Sequence, residues 1–557
     1  MRGGAVLVGT PRGFRDILPR EAEARERISE QVKACFAAHG YQPVETPMVE
    51  AHPSLEQGGH VPPSPFRLFD SDGGLLVLRP DITLAIARMV STRMADEPLP
   101  LRLRYHASVA REESTLAGQP RQFTQLGVEL VGGDGVQGDA EVVGLLAEVL
   151  DALEVPHWSI VCGSVVPLTM LLACCSPSQA FAERALALVH GSDLVGLDEL
   201  VDSQDMPVQA AQAIKRLPRL AGGIEVLDQL EELLASAGVG EASQGTADLR
   251  SLVGALPELV ASGRLKFDFS VINSFDYYTG TVFKGYAEGI TAAVASGGRY
   301  DAVLANYGLR STAACGFMLP LERLQEVLGE QGESGVVARK VRHAERPLRI
   351  AVPKGALFKD CVNTLGAAGL PVDELSNLGR RLIVPAEGVE YVIVRAQDAP
   401  AFVAHGGADC GICGSDSIIE ADVDVMQLVD LGFGSCRFVV AEPAWAEGTA
   451  DEAYAWRGTV RVATKYPRIT TAYYEGKGQQ VDIVQLHGNI ELGPIVGMCD
   501  RIVDITETGA TLRQNDLVIV DDVMECGARF FAGPAAYRSD PRIRDLATRL
   551  AAVAQDR

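Results

Sequence analysis

The chain has 557 residues, 47% of them hydrophobic and 22% charged, with a formal net charge of -23. That length exceeds one ordinary core and predicts two or more domains, while no apolar run reaches the roughly 20 residues that cross a bilayer, so no membrane span is expected. The acidic balance excludes broad sequence-independent nucleic-acid binding, which needs a basic surface. The start, MRGGAVLVGTPRGF, lacks the apolar core of a secretory signal, so a cytoplasmic protein is expected. The eleven cysteines are then expected to remain thiols.

Taken in chain order, Glu21 to Ala38 spaces Ile28, Val32 and Phe36 at helical intervals before a stop at Gly40. Strand-like runs follow at Leu75 to Leu78, Phe123 to Val131, Ser159 to Val161 and Thr281 to Tyr286, with helical stretches such as Ala140 to Leu153 between them, an α+β pattern. The stretch Gly329 to Pro347 is Gly-punctuated, charged and aperiodic, and reads as a linker between a domain at 1–328 and one at 348–557. Beyond it, LRIAVP, YVIVRA, FVVAEP, VDIVQL and DLVIVDDV alternate with helical segments, an α/β signature. A final amphipathic helix aligns Ile543, Leu546, Leu550 and Val553. Two motifs are set aside. Cys410 and Cys413 in CGIC read as small residues packing a turn, since no second Cys/His pair lies nearby. GDGVQG, 133–138, matches GxGxxG, but the next strand ends without an acid to hold a ribose.

The most informative segment is DITETGATLRQND, Asp504 to Asp516. Gly509 and Ala510 let backbone amides approach a phosphate, Thr508 and Thr511 add hydroxyls, and Asp504 and Glu507 can accept from ribose hydroxyls or hold Mg2+ through water. By itself the segment fits either an ordinary surface loop or a phosphate cradle.

Together with LRIAVPKGALF, GADCGICGSD, RVATKYP and GNIELGP, in that order, it resembles the phosphoribosyl pyrophosphate loop of ATP phosphoribosyltransferases. The resemblance implies a two-lobed, periplasmic-binding-protein-like α/β transferase in which adenine N1 of ATP attacks the anomeric carbon of phosphoribosyl pyrophosphate, the first step of histidine biosynthesis. N1 carries a free lone pair, so no general base is required; alignment and neutralisation of pyrophosphate by Mg2+ and cations carry the chemistry. Lys354, Arg380, Arg381 and Arg395 are the candidate catalytic cations, and Gly355, Lys465 and Glu491 the candidate ATP contacts. Where the family reads PKGRL this chain reads PKGAL, so Ala356 replaces a cation and puts the rate in doubt unless Lys359 or Arg381 substitutes. The segment after the loop is too short for a further regulatory domain, as in the family's short form.

The first domain resembles the histidyl-tRNA synthetase core that serves the short form as a regulatory partner. PRGFRDILP, GYQPVETPMVE, LRPDIT, VAREE, RQFTQLGVEL, FDYYTGTVF, SGGRYD and PLERL carry that resemblance, which implies an α+β class II aminoacyl-tRNA synthetase-like core. Asp81, Thr83, Gln125, Glu129, Tyr277 and Tyr278 would suit the ammonium and ring of histidine, with Arg111 at its carboxylate; the alternative is a packed hydrogen-bond network left after activity was lost. Asn273 and Lys284 depart from the synthetase pattern, and the chain passes directly into the transferase without a tRNA-binding domain, so no tRNA partner is expected. The reading is a fused, histidine-inhibited transferase that assembles as a homotetramer or larger. Its alternatives are a histidine-binding regulator with an impaired transferase half and an active synthetase-like core.

Overall fold

In the computed structural model, which describes residues 9–59, 66–112, 120–133, 135–239, 243–271, 278–309, 312–329 and 346–556, the chain divides into two units, Met1–His343 and Ala344–Arg557. Among the described residues no helix is long and apolar enough to cross a membrane.

The first unit is built on a nine-stranded sheet that is antiparallel through its centre, where Leu101–Ala110, Gln122–Val131, Ala314–Pro320, Ala295–Arg299 and Thr281–Tyr286 lie side by side. The inner strand Gln122–Val131 shows why period two matters here. Leu126, Val128 and Leu130 turn to one face and pack with Phe36 of helix Pro19–Ala38 and Val142 of helix Gly135–Ala152. Gln125 and Glu129, on the opposite face, are buried and polar. The 3.6-residue period of the first helix likewise buries Ile28, Val32 and Phe36, and Phe36 meets Phe317 edge to face at 5.8 Å. Among the described residues, seven α-helices and the 3-10 turn Leu217–Arg219 between Ser159–Ser164 and Leu265–Asp268 extend the same core. In the GxGxxG-like segment, helix Gly135–Ala152 begins inside the motif. Arg299 donates to the Gly135 carbonyl and to Asp139 Oδ1 (2.7 Å), so these groups are engaged in packing the helix on the sheet.

The second unit has two lobes. Its first sheet runs, in spatial order, Ile383–Ala386, Val389–Arg395, Leu348–Lys354, Cys410–Gly414, Ala528–Ala532 and Met426–Asp430. Its second runs Val481–Gln485, Val460–Thr464, Arg501–Thr506, Cys436–Pro443 and Leu517–Cys526. Both sheets are mixed: the first holds its parallel strands in the middle between antiparallel pairings at either edge, and the second has parallel strands at one side and antiparallel returns at the other. The chain passes between lobes twice, through 431–435 and through Gly527. The last helix, Pro541–Gln555, returns to the first lobe and buries Ile543, Leu546 and Leu550.

CGIC requires a correction. It forms no turn: Cys410–Gly414 is an interior strand paired with Leu348–Lys354 on one side and Ala528–Ala532 on the other, and both thiols are buried. Small residues are needed because neighbouring strands crowd the position; a Cβ at Gly411 would lie 2.9 Å from that of its register partner Ala351 and 3.1 Å from the Phe531 ring.

Candidate functional site

Asp81, Thr83, Arg111, Gln125, Glu129 and Tyr278 line one cavity of the first unit together with Tyr105 and Tyr300. Tyr277 and Asn273 lie outside the described residues. Two elements converge on Glu129. Thr83 opens helix Thr83–Arg93 and donates its hydroxyl to Glu129 Oε1 at 2.7 Å, while the Tyr300 hydroxyl donates to Oε2. Asp81, just before that helix, accepts from the Leu84 amide at 3.2 Å. Opposite Glu129 in the sheet stands Gly316, where a Cβ would sit 2.0 Å from Oε2, so a side chain there would occupy the carboxylate's place. Arg111 donates to the Pro80 carbonyl at 2.9 Å and rests over the Phe123 ring.

Burial pushes Glu129 up to about 7, against the hydrogen bonds from Tyr300 and Thr83, and Asp81 adds to the rise. Two buried carboxylates in one cavity leave a deficit of positive charge, so the site favours a small ligand that brings a cation and N–H donors.

In the second unit the candidate residues gather at strand ends. Lys354 and Arg395 are register partners that close two parallel strands, Leu348–Lys354 and Val389–Arg395. Ligands of α/β sheets sit at such C-terminal edges. Gly355 follows Lys354 at φ +98, a left-handed turn that a side chain would strain. From the second lobe, Lys465 follows the strand Val460–Thr464, and the run Glu507 to Thr511 follows Arg501–Thr506. In that run the Gly509 amide donates to Thr506 Oγ1 at 2.8 Å, fixing a tight turn at φ +70, and Glu507, Thr508, Ala510 and Thr511 are exposed. Lys465 Nζ lies 4.0 Å from Asp504 Oδ1. Burial raises Asp504, with Lys465 opposing and Glu491 adding to the rise, so Glu491 belongs to the same electrostatic neighbourhood.

Arg380 and Arg381 stand apart. They precede the edge strand Ile383–Ala386, and its register with Val389–Arg395 sets them at the Arg395 end of the sheet. Both are exposed, and Arg381 pairs with Glu374 at 3.2 Å. Ala356 and Lys359 are also exposed.

A family model described as histidyl-tRNA synthetase matches residues 13–324, and one described as ATP phosphoribosyltransferase matches residues 395–552. An ATP phosphoribosyltransferase of Rubrobacter xylanophilus is 49% identical over 193 residues, 35% of this chain and 89% of its own. The chain belongs to the histidyl-tRNA synthetase family in its first unit and to the ATP phosphoribosyltransferase family in its second. An ATP phosphoribosyltransferase regulatory subunit of Moorella thermoacetica is 37% identical over 323 residues, 58% of this chain and 82% of its own. A solved ATP phosphoribosyltransferase regulatory subunit/histidyl-tRNA synthetase from Bacillus halodurans C superposes with a TM-score of 0.54 at 27% identity, covering 70% of this chain and 99% of that one.

The transferase unit adds residues that the motifs did not single out. Asp416 lies in the first turn of helix Ser415–Ala421, is buried, and has its acidity weakened by burial, with Lys465 of the other lobe opposing. The side chain of Gln397, just past Arg395, hydrogen-bonds to the Tyr466 hydroxyl, so the strand ends of the two lobes meet. An acid directly after a run of small buried residues is the one local signal that could have marked Asp416. Among the described residues no three His, Cys, Asp or Glu side chains gather as a metal cage. Asp504 and Glu507 are the protein's candidate contacts for a Mg2+ carried by substrate phosphates and water, and two carboxylates fit that mode.

Proposed function

We propose that the transferase unit, 348–557, joins phosphoribosyl pyrophosphate to N1 of ATP, releasing pyrophosphate, and that the synthetase-like unit, 1–328, binds histidine and inhibits that reaction, with 329–347 as linker. The observation that carries the first part is the meeting of strand ends from two lobes. One presents Lys354, Arg395 and Asp416, the other Lys465, Asp504 and the 507–511 turn with Glu507, Thr508, Ala510 and Thr511 exposed.

The residues divide the work by chemistry. The 507–511 turn offers amides and hydroxyls to the ribose 5-phosphate, and Asp504 accepts from a ribose hydroxyl while Lys465 opposes the burial that weakens its acidity. Lys354 and Arg395, adjacent on parallel strands, face the pyrophosphate as it gains charge. Gly355, Lys465 and Glu491 lie on the nucleotide side. Mg2+ carried by the phosphates supplies further charge neutralisation. Adenine N1 needs no base, so alignment between the lobes is the principal catalytic device. Arg380 and Arg381 are positioned to add positive potential at the same edge.

For the regulatory part, the ammonium and ring N–H groups of histidine meet Asp81, Glu129, Gln125, Tyr277 and Tyr278, with Thr83 adding a hydroxyl and Arg111 at the carboxylate. Support comes from the shared cavity and from its deficit of positive charge. Inhibition then requires that histidine favour one state of the assembled protein over another. A homotetramer or larger assembly is part of the proposal, and sedimentation of the purified chain measures it.

The deciding assay mixes the full chain with ATP, Mg2+ and phosphoribosyl pyrophosphate, with and without histidine. Formation of phosphoribosyl-ATP, suppressed by histidine, is the expected result; no product defeats the transferase reading. The synthetase reading is checked by histidine-dependent exchange of pyrophosphate into ATP, for which no signal is expected.

A further inference from the structure

Cys436 and Cys526 stand opposite each other on neighbouring antiparallel strands, Cys436–Pro443 and Leu517–Cys526. Directly opposed residues in such a pair have Cα atoms about 4.5 to 5.5 Å apart and side chains on the same face, within the range a disulfide spans. The two thiols already hydrogen-bond to each other, and both are free. Cys436 is half-exposed and Cys526 buried.

Their place in the fold is specific. Cys436 is the first residue after the 431–435 connection between lobes, and Cys526 is the last before the Gly527 connection. Those two connections are laced together: the Leu431 amide donates to the Ala528 carbonyl at 3.0 Å and the Ala528 amide to the Phe433 carbonyl at 2.9 Å. The Ser415 amide donates to the Gly527 carbonyl at 2.9 Å, which ties the same point to the start of the Asp416 turn. On its other side, the strand of Cys436 pairs Arg437 with Thr506, at the entrance to the 507–511 turn. The nine other cysteines lack this arrangement of a half-exposed thiol facing a buried one across two strands at an inter-lobe crossing.

We propose that Cys436 and Cys526 form a redox-sensitive dithiol that closes to a disulfide under hydroperoxide and slows the transfer reaction by stapling the two inter-lobe connections. The Cys436 thiolate attacks a peroxide oxygen, the O–O bond breaks, and the leaving hydroxide takes up a proton as water. Cys526 sulfur then attacks Cys436 sulfur, the S–O bond breaks, and the second hydroxide leaves with the Cys526 proton as water. Two electrons pass from the thiols to the peroxide. The Cys526 thiol's hydrogen bond favours the Cys436 thiolate, which suits Cys436 as the attacking group and Cys526 as the resolving one. Lobe movement about the two connections is what a staple would restrict, and restraint of a hinge changes turnover rather than the chemistry of the bound groups.

The effect on rate rests on the transferase reading; the disulfide does not. The test treats the full-length reduced chain with hydrogen peroxide, maps peptides, and assays phosphoribosyl-ATP before and after a thiol reductant. A Cys436–Cys526 linkage, a rate lower by roughly tenfold, and recovery on reduction are expected. Cys436→Ser keeps a small polar group beside Asp416 and Glu507 and, measured against its own untreated rate, should lose both the linkage and the peroxide effect. Free, alkylatable Cys436 and Cys526 after peroxide would overturn the proposal. So would a linkage that leaves the rate unchanged, or equal inactivation of Cys436→Ser. A reduced chain with no activity defeats the transferase reading, while the peptide map still decides whether the dithiol closes.

Discussion

Replacing Glu129 with Gln separates the two consequences of burying a carboxylate. In the absence of ligand Glu129 is pushed up to about 7 from an ordinary value of 4.5, chiefly because burial disfavours its charge. At 1.36 kcal/mol per pH unit, that gap corresponds to about 3 kcal/mol. The sign follows from proton binding. The folded state keeps the proton to a higher pH than the unfolded chain, so this group's contribution is fully present below 4.5, declines between 4.5 and about 7, and is constant above. The amide introduced by Glu129→Gln does not titrate, and it can still meet the Thr83 and Tyr300 hydroxyls. Relative to wild type, the variant should therefore gain about 3 kcal/mol of stability between pH 4.5 and 7 in the first unit, read by urea unfolding across that range. Histidine reverses the order: its cation restores the value of an ionised Glu129, so it should stabilise the wild type strongly at a pH of about 8 and the variant little. A difference between the two proteins that does not vary with pH would refute the reasoning.

Asp81→Ala should leave the uninhibited transferase rate intact and weaken histidine inhibition by roughly tenfold or more, measured as the shift in half-inhibitory concentration. Gly316→Ala, which places a methyl 2.0 Å from Glu129 Oε2, should abolish histidine binding by calorimetry while the second unit stays active. Lys465→Ala removes the cation facing Asp504, and kcat/KM for phosphoribosyl pyrophosphate should fall by on the order of a hundredfold. Arg381→Ala removes an exposed pair with Glu374, so unfolding should change by about 1 kcal/mol or less; a fall in kcat larger than that would then measure its electrostatic role.

Much of this architecture is legible in the order of residues because burial repeats with the period of the backbone. Ile28, Val32 and Phe36 read as a helix face and are one; LRIAVP, YVIVRA and VDIVQL read as strands and are strands. The ordered motifs likewise identify both families, since a loop such as DITETGATLRQND constrains backbone and side chains within a few residues of each other. What the order of residues leaves open depends on contacts between distant segments. CGIC reads as a turn because small residues suit turns, yet it is an interior strand whose neighbours, 348–354 and 528–532, lie far away in sequence. Asp416 gains its place opposite Lys465 only when two lobes meet, and the opposition of Cys436 and Cys526 exists only in the strand register. Glu129 is an ordinary carboxylate in the sequence. Its proton affinity is decided by the tertiary structure, because desolvation and the approach of Thr83, Tyr300 and Asp81 come from elements 46, 171 and 48 residues away.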